Sequence, residues 1–408
     1  MSEWKKVKLV DICDIRSGKR LPKGTDFSTV PTNYKYIRAR DIKNGIINGE
    51  NLAYITKDVK DKISKYIVNA NDIAITIVGA SVGDVAYVSP EFDGINLTEN
   101  AVRLTNFKDN TNPRFIFYIL NSPEYYLLMQ QIAGGAAQPK MGIYKVEAIE
   151  VCIPSIFDQN RIVDILSRYD SLVENYQKQI KLLEEAAQRL YKEWFVDLHF
   201  PGYENTKIVD GVPEVWEKKK ISDVCDTIGG GTPSTKVQSY YENGTISWVT
   251  PTDITKNNSL CLLSTEKKIT KEGLDHSSAK MLPAETILMT SRASVGYFGI
   301  CDFEVCTNQG FISCVPFDNN FQMFLLYNLM NRVEEIRIKA GGSTYLEISK
   351  SVFRNFDIIC PTDDLICVFQ QEAHQLLERM RMICKQIRLL TEARDRLLPK
   401  LMSGEIEV

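Results

Sequence analysis

From Ile162 to Trp194 the apolar positions advance in alternating steps of four and three: Ile162, Leu166, Tyr169, Val173, Tyr176, Ile180, Leu183, Ala187, Leu190 and Trp194. A Pro201–Gly202 pair then halts the pattern in mid-chain. An apolar stripe repeating every 3.5 residues over more than four heptads predicts a helix of the coiled-coil kind. With roughly 40 residues it would run about 60 Å. So thin a stripe cannot bury itself, so the helix requires a partner. The chain contains one: Phe369, Ala373, Leu376, Met380, Ile383, Ile387, Leu390, Arg394, Leu397 and Leu401 take the same steps, each 207 residues later.

The helices close two copies of a longer unit. "WKKVKLVDICDIRSGK" from Trp4 recurs as "WEKKKISDVCDTIGGG" from Trp216, and "YIRARDI" (36–42) as "WVTPTDI" (248–254), both 212 residues on. "ASVG" stands at 80–83 and 293–296, "TEN" at 98 faces "TNQ" at 307, and "AGG" at 133 and 340 matches Pro154 and Pro361 in its spacing of 207. The drift in spacing places small deletions in surface loops, which tolerate them. An antiparallel pairing of the two helices would relate two similar heads by an approximate twofold axis.

Each head mixes short strand-like runs, such as "NDIAITIVGASVGDVAYV" and "AETILMTSRASVGYFGI", with turn-rich connectors and one helix-like stretch, "PRFIFYILNSPEYYLLMQQI" or "FQMFLLYNLMNRVEEIRI". The strands alternate poorly and are broken by glycine. An α+β head with a curved, irregular sheet is therefore expected, and not a doubly wound one. Four loops stand out: "RSGKRLPKG" (16–24), "GGGTPSTK" (229–236), "IAGGAAQPK" (132–140) and "KAGGSTYLE" (339–347). Glycine lets backbone amides approach a partner, and Ser, Thr, Gln and Lys add hydrogen bonds with little bulk. Between the copies the scaffold residues persist while the polar tips change, which suits two modules reading different targets.

Composition narrows the function. The 408 residues are 44% hydrophobic and 25% charged, the balance of a globular chain too long for one core. No run approaches a membrane span, and "MSEWKKVKLVDICD" lacks a signal-peptide core, so a cytoplasmic protein with no membrane partner is expected. Ten scattered cysteines without C-x-x-C and only His199, His276 and His374 predict reduced, buried thiols rather than zinc or disulfides. The net charge of −3 argues against binding nucleic acid by bulk positive charge. Residues 1–45 nevertheless carry eleven Lys/Arg against five Asp/Glu, whereas residues 216–256 balance at five against five. No catalytic constellation emerges: "TNPRF" (111–115) lacks the second proline of an amino-methyltransferase turn, and "GGGTPSTK" is not a P-loop. The chain is read as non-enzymatic.

Laid out this way, the chain resembles the specificity (S) subunit of a Type I restriction-modification system. The resemblance rests on the duplicated plan of head plus long helix, on "GGGTPST", "ISWVTPTDI", "RASVG" and "AGGST" in the second half, and on "LLEEAAQRLYKEWFVDLHFPG" closing the first helix. The first head departs from it where "RSGKRLPKG" replaces the glycine–threonine–proline loop. The resemblance implies target recognition domains at 1–154 and 214–361, spacer helices at 155–200 and 362–408, and a linker at 201–213. Each head would read one half of a split double-stranded DNA target, and the helices would set the gap. The coiled coil and the flanks of the heads would dock two methyltransferase (M) subunits. Restriction (R) translocase-nuclease subunits would join them. No cofactor would sit on this chain; S-adenosylmethionine, ATP and Mg would belong to the partners.

Arginine matches the O6/N7 edge of guanine, Asn and Gln match adenine, and Ser and Thr serve bases or phosphates. The residues expected at DNA are Lys19, Arg20, Arg38, Arg40, Ser81, Asn100 and Lys140 in the first head. In the second they are Thr232, Ser234, Thr235, Lys236, Thr250, Thr252, Arg292, Asn308, Gln309, Ser343 and Thr344. The rival expectation is a coiled-coil scaffold whose two heads bind proteins.

Overall fold

The computed structural model describes residues 4–134, 139–342 and 345–408. The chain divides into two compact units, Met1–Asp170 with Glu392–Val408, and Ser171–Thr391. In the first unit, Asp14–Ser17, Ala101–Thr105, Ile73–Thr76 and Val85–Tyr87 form an antiparallel sheet in that spatial order. A smaller sheet centres on Lys35–Ile37, antiparallel to Ala53–Tyr54 and parallel to Asn96–Leu97. Lys5–Lys8 pairs with Glu150–Ile153.

Side chains alternate across the larger sheet, so its strands feed two cores. Ile73, Ile75, Val85, Val102 and Leu104 pack with Phe115, Ile116 and Leu120 and with Ile162 and Leu166 of the first long helix. Ala74, Ala86 and Ala101 face the other way, onto Ile37, Ile42, Val68 and Leu97. Alanine there lets the smaller sheet approach closely.

The second unit repeats the plan. Cys225–Gly229, Phe311–Pro316, Ile287–Thr290 and Phe298–Gly299 make the four-stranded sheet, and Ile246–Val249 lies between antiparallel Lys267–Ile269 and parallel Cys306–Thr307. Glu217–Lys220 pairs with Asp357–Cys360. The heads are α+β with small, largely antiparallel sheets, as the broken alternation indicated.

The single helix-like stretch of each head is two helices. In the first, Pro113–Leu120 begins at Asn112, whose side-chain oxygen accepts the N–H groups of Arg114 (2.9 Å) and Phe115 (3.3 Å). "TNPRF" is thus a helix start. Ser122 and Pro123 then stop one helix and open Pro123–Ile132, because proline cannot donate within a helix and is preorganised for its first turn. In the second head Arg332 separates Gln322–Asn331 from Val333–Lys339.

The two long helices, Ile156–Phe195 and Asp363–Met402, each have 40 residues. The first ends before Pro201: Asp197 and His199 turn back onto the carbonyls of Lys192 and Glu193, with Leu198 at φ 60°. Within the second unit the pairing is antiparallel, since Tyr191, Trp194 and Phe195 near the end of one helix meet Phe369 near the start of the other. Within the first unit Asp170 Oδ1 accepts from Arg394 Nη1 at 2.9 Å, and Ile162 and Leu166 share a core with Leu397 and Leu401.

The seam is broader than the stripe. Tyr191 and Leu377, one position beyond the predicted Leu190 and Leu376, are buried because the second head covers the helices from the side. There the Tyr191 hydroxyl accepts from Asn328 Nδ2 at 2.9 Å. Along the stripe itself Tyr169, Val173, Tyr176, Leu183, Leu190, Leu376 and Leu390 are only half-buried. All ten cysteines are free; seven are buried and Cys152 is exposed.

Candidate nucleic-acid interface

In the first head the strand Asp14–Ser17 leaves its sheet at Gly18, where a Cβ would lie 2.1 Å from the Thr98 carbonyl oxygen. Only glycine permits that approach. The Lys19 N–H then donates to Leu97 O at 2.8 Å, and the buried Tyr36 hydroxyl donates to the Lys19 carbonyl at 2.7 Å. Arg20 Nε reaches Glu99 Oε1 at 2.6 Å, and the Lys19 ammonium lies 5.5 Å from the centre of the Tyr66 ring. Burial works to raise the Glu99 carboxyl, but Arg20 and neighbouring donors hold it below the usual carboxylate range, so the pair is ionised. Ile77 N–H donates to Asn100 O (2.8 Å), Gly79 N–H to Pro139 O (3.0 Å) and Met141 N–H to Ile77 O (2.9 Å). Backbone bonds thus hold the segments around 19, 79, 99 and 140 side by side.

The second head is stitched in the same way. A Cβ on Gly230 would lie 2.1 Å from Thr307 O. Gly231 N–H donates to Thr307 O at 2.9 Å, and Trp248 Nε1 donates to Gly231 O at 3.0 Å, in the place of Tyr36 and Lys19. Thr232 donates its hydroxyl hydrogen to Gln309 Oε1, matching the Arg20–Glu99 contact. Ser291 N–H meets Gly310 O (2.8 Å), and Ile348 N–H meets Ser291 O (3.0 Å). Strand register corrects the expected alignment of "TEN" with "TNQ" by one residue. Tyr36 pairs with Asn96 and Trp248 with Cys306, so Thr98–Asn100 corresponds to Asn308–Gly310.

The expected residues fall into three groups. Lys19, Arg20, Asn100 and Lys140 come together in the first head, and Thr232 and Gln309 in the second, at the ends of the stitched loops. Ser81 is half-buried in the turn closed by Val82 N–H on Gly79 O, and Ser234, Thr235, Lys236 and Thr252 are exposed. Others are engaged internally. Arg38 Nε and Nη2 bond the Asp41 carboxylate, each at 2.9 Å, and Nη2 also donates to Asn51 O. Arg38 is thus engaged within the head. Its neighbour Arg40 keeps 72% of its side chain exposed. Thr250, the equivalent of Arg38, donates to Asp253 Oδ2 at 2.6 Å, and Arg292 lies 3.6 Å from Glu347. Asn308 Oδ1 accepts from Gly310 N–H at 2.8 Å. Ser343 and Thr344 lie outside the described residues.

Sequence reasoning missed Glu99 and Tyr66, and in the second head Lys280 and Lys350. These two lysines line a depression of about 550 Å³ with Gly229, Gly230, Ser278 and Gln309. Position 140 is a lysine bridged to Val78, where the matching bridge of the second head joins Glu347 to Arg292, so the loop pair is cationic in the first head and balanced in the second. Among the described residues, no cluster of three or more His, Cys, Asp or Glu could hold a metal ion, and no helix is long and apolar enough to cross a membrane.

Two α+β heads with matched loops and different polar tips, each followed by a forty-residue helix, define a duplicated recognition protein. The sequence matches the Type I restriction modification DNA specificity domain twice, over residues 1–185 and 213–388, and the chain belongs to that family. It is 25% identical to the HindI specificity subunit of Haemophilus influenzae across the whole of both chains. It is 34% identical to the MjaIX specificity subunit of Methanocaldococcus jannaschii over 38% of this chain and 36% of that one. The crystal structure of the Type I system S subunit from M. genitalium shares the fold, with a TM-score of 0.59 at 16% identity over 98% of this chain and 96% of that one. Membership decides against a bare scaffold: the chain is a specificity subunit, and its part is recognition rather than catalysis.

Proposed function

We propose that each head reads one half of a split, asymmetric sequence in double-stranded DNA, with recognition domains at 1–154 and 214–361. The observation that carries this reading is the pair of matched loop platforms. The same glycine turn and the same aromatic clamp on its carbonyl present Arg20 and Glu99 in one head and Thr232 and Gln309 in the other. A common scaffold fixes where the tips stand, and different tips select different base edges.

The long helices at 155–200 and 362–408 set the gap between half-sites and, with the flanks of the heads, dock two methyltransferase subunits. Those subunits bring S-adenosylmethionine to adenine N6, and ATP- and Mg-dependent restriction subunits complete the assembly. A net charge of −3 means that much of the affinity for DNA comes from partner surfaces.

The test is methylation-sensitive sequencing of DNA from a host co-expressing this chain with its neighbouring methyltransferase subunit. A bipartite motif with N6-methyladenine in each half is the expected result. A stable complex that adds no methylation would overturn the reading.

A further inference from the structure

The strand register of the first head places Arg103 directly opposite Arg16 on adjacent antiparallel strands. Like charges so placed repel at a Cβ separation of about 5 Å, a destabilising arrangement unless an anion lies between them. Arg103 is also desolvated: its Nε and Nη1 are buried, and no described residue accepts a hydrogen bond from either. Two buried guanidinium nitrogens without an acceptor are costly.

Both arginines open into a depression of about 410 Å³ between the sheet and the segment 65–69, lined also by Ser17, Lys65, Tyr66 and Asn69. Two carboxylates stand near. Asp14 accepts from Arg16 at 3.1 Å, and Asp72 accepts the Asn69 N–H at 2.8 Å and forms no ion pair with Arg103 among the described residues. Three cations against two carboxylates leave the depression positive.

We infer that this depression binds one phosphate group of the nucleic-acid backbone, with the half-buried Arg103 as its anchor and Arg16 and Lys65 at the rim. The inference rests on the DNA-reading role proposed above. Paired guanidinium donors, an ammonium, a hydroxyl and a side-chain amide suit the several oxygens of a phosphate. The depression adjoins the candidate interface: Tyr66, on its wall, is the ring over which the Lys19 ammonium lies, at 5.5 Å. The second head lacks the pair, since the strand position matching Arg103 is Ser313, opposite Ile228. The anchor therefore belongs to the first head alone.

The test uses the full chain assembled with its methyltransferase partners and titrated onto duplexes with and without the cognate sequence at several salt concentrations. Arg103→Gln removes the charge and keeps much of the length. Affinity is expected to fall roughly tenfold on every duplex, and the slope of log K against log salt to fall by about one, with the methylated sequence unchanged. Arg103→Lys restores the slope. If Arg103→Gln folds poorly, Lys65→Gln at the exposed rim carries the same slope expectation.

Unchanged affinity and slope overturn the inference. So does a loss confined to one base pair of the target, which would make Arg103 a base reader. Suppose instead that inorganic phosphate stabilises the wild type and not the variant while DNA binding stays intact. The ligand is then a free phosphate, and the backbone assignment fails. If the wild-type complex shows no sequence-specific binding, the DNA-reading role itself is wrong, and this inference falls with it.

Discussion

Arg38 and Arg40 are two residues apart and both face Asp41, but Arg40 only at 3.9 Å and with 72% of its side chain exposed. Arg38 spends its guanidinium on Asp41 and on the Asn51 carbonyl, holding the turn that follows the Lys35–Ile37 strand. Arg38→Ala should destabilise the first head by about 1–3 kcal/mol, the scale of charge-assisted hydrogen bonds, and leave the methylated sequence unchanged. Denaturant unfolding of the purified chain measures the loss. Arg40→Ala should leave stability within about 0.5 kcal/mol and relax one position of a single half-site by about 1–3 kcal/mol. A uniform loss of affinity across sequences would instead make Arg40 a phosphate contact. Within "YIRARDI" the three-residue spacing of Arg38 and Asp41 is local, but the Asn51 carbonyl that completes the engagement of Arg38 arrives only once the chain has folded back.

At the scale of elements, the 3.5-residue period revealed both long helices, and Arg394 was the one charged residue in the stripe. Its partner lies on the other helix. Asp170 accepts from Arg394 at 2.9 Å and from Arg114 Nη2 at 3.3 Å, and also takes the Tyr118 hydroxyl bond. Removing the carboxylate leaves two half-buried cations facing each other, so Asp170→Ala should cost about 2 kcal/mol, and Asp170→Asn less. Thermal unfolding of the two variants against wild type checks the order; equal losses would mean that the charge is irrelevant. Burial of Tyr191 and Leu377 was not legible from the period, which describes two bare helices and takes no account of a head packed on their side.

At the scale of the whole molecule, helices of forty residues are long for elements serving a core alone, and a spacer role follows from the proposed function. Inserting one heptad into both helices adds about 10 Å, or about three base pairs at 3.4 Å each. The gap in the methylated motif should lengthen accordingly. An unchanged gap in an assembled, active complex would remove the spacer role.

What the sequence determined by itself was the duplication, the two helices and the glycine turns at the head of each platform. These are carried by local period and fixed spacing, which need no folding to be read. Tertiary structure decided the one-residue correction between "TEN" and the second head, the joining of Arg20 to Glu99 across 79 positions, and the placing of Arg103 opposite Arg16. Each follows from strand pairing between distant segments. A slip of one residue sends every side chain to the other face of a sheet, so register selects which polar groups meet.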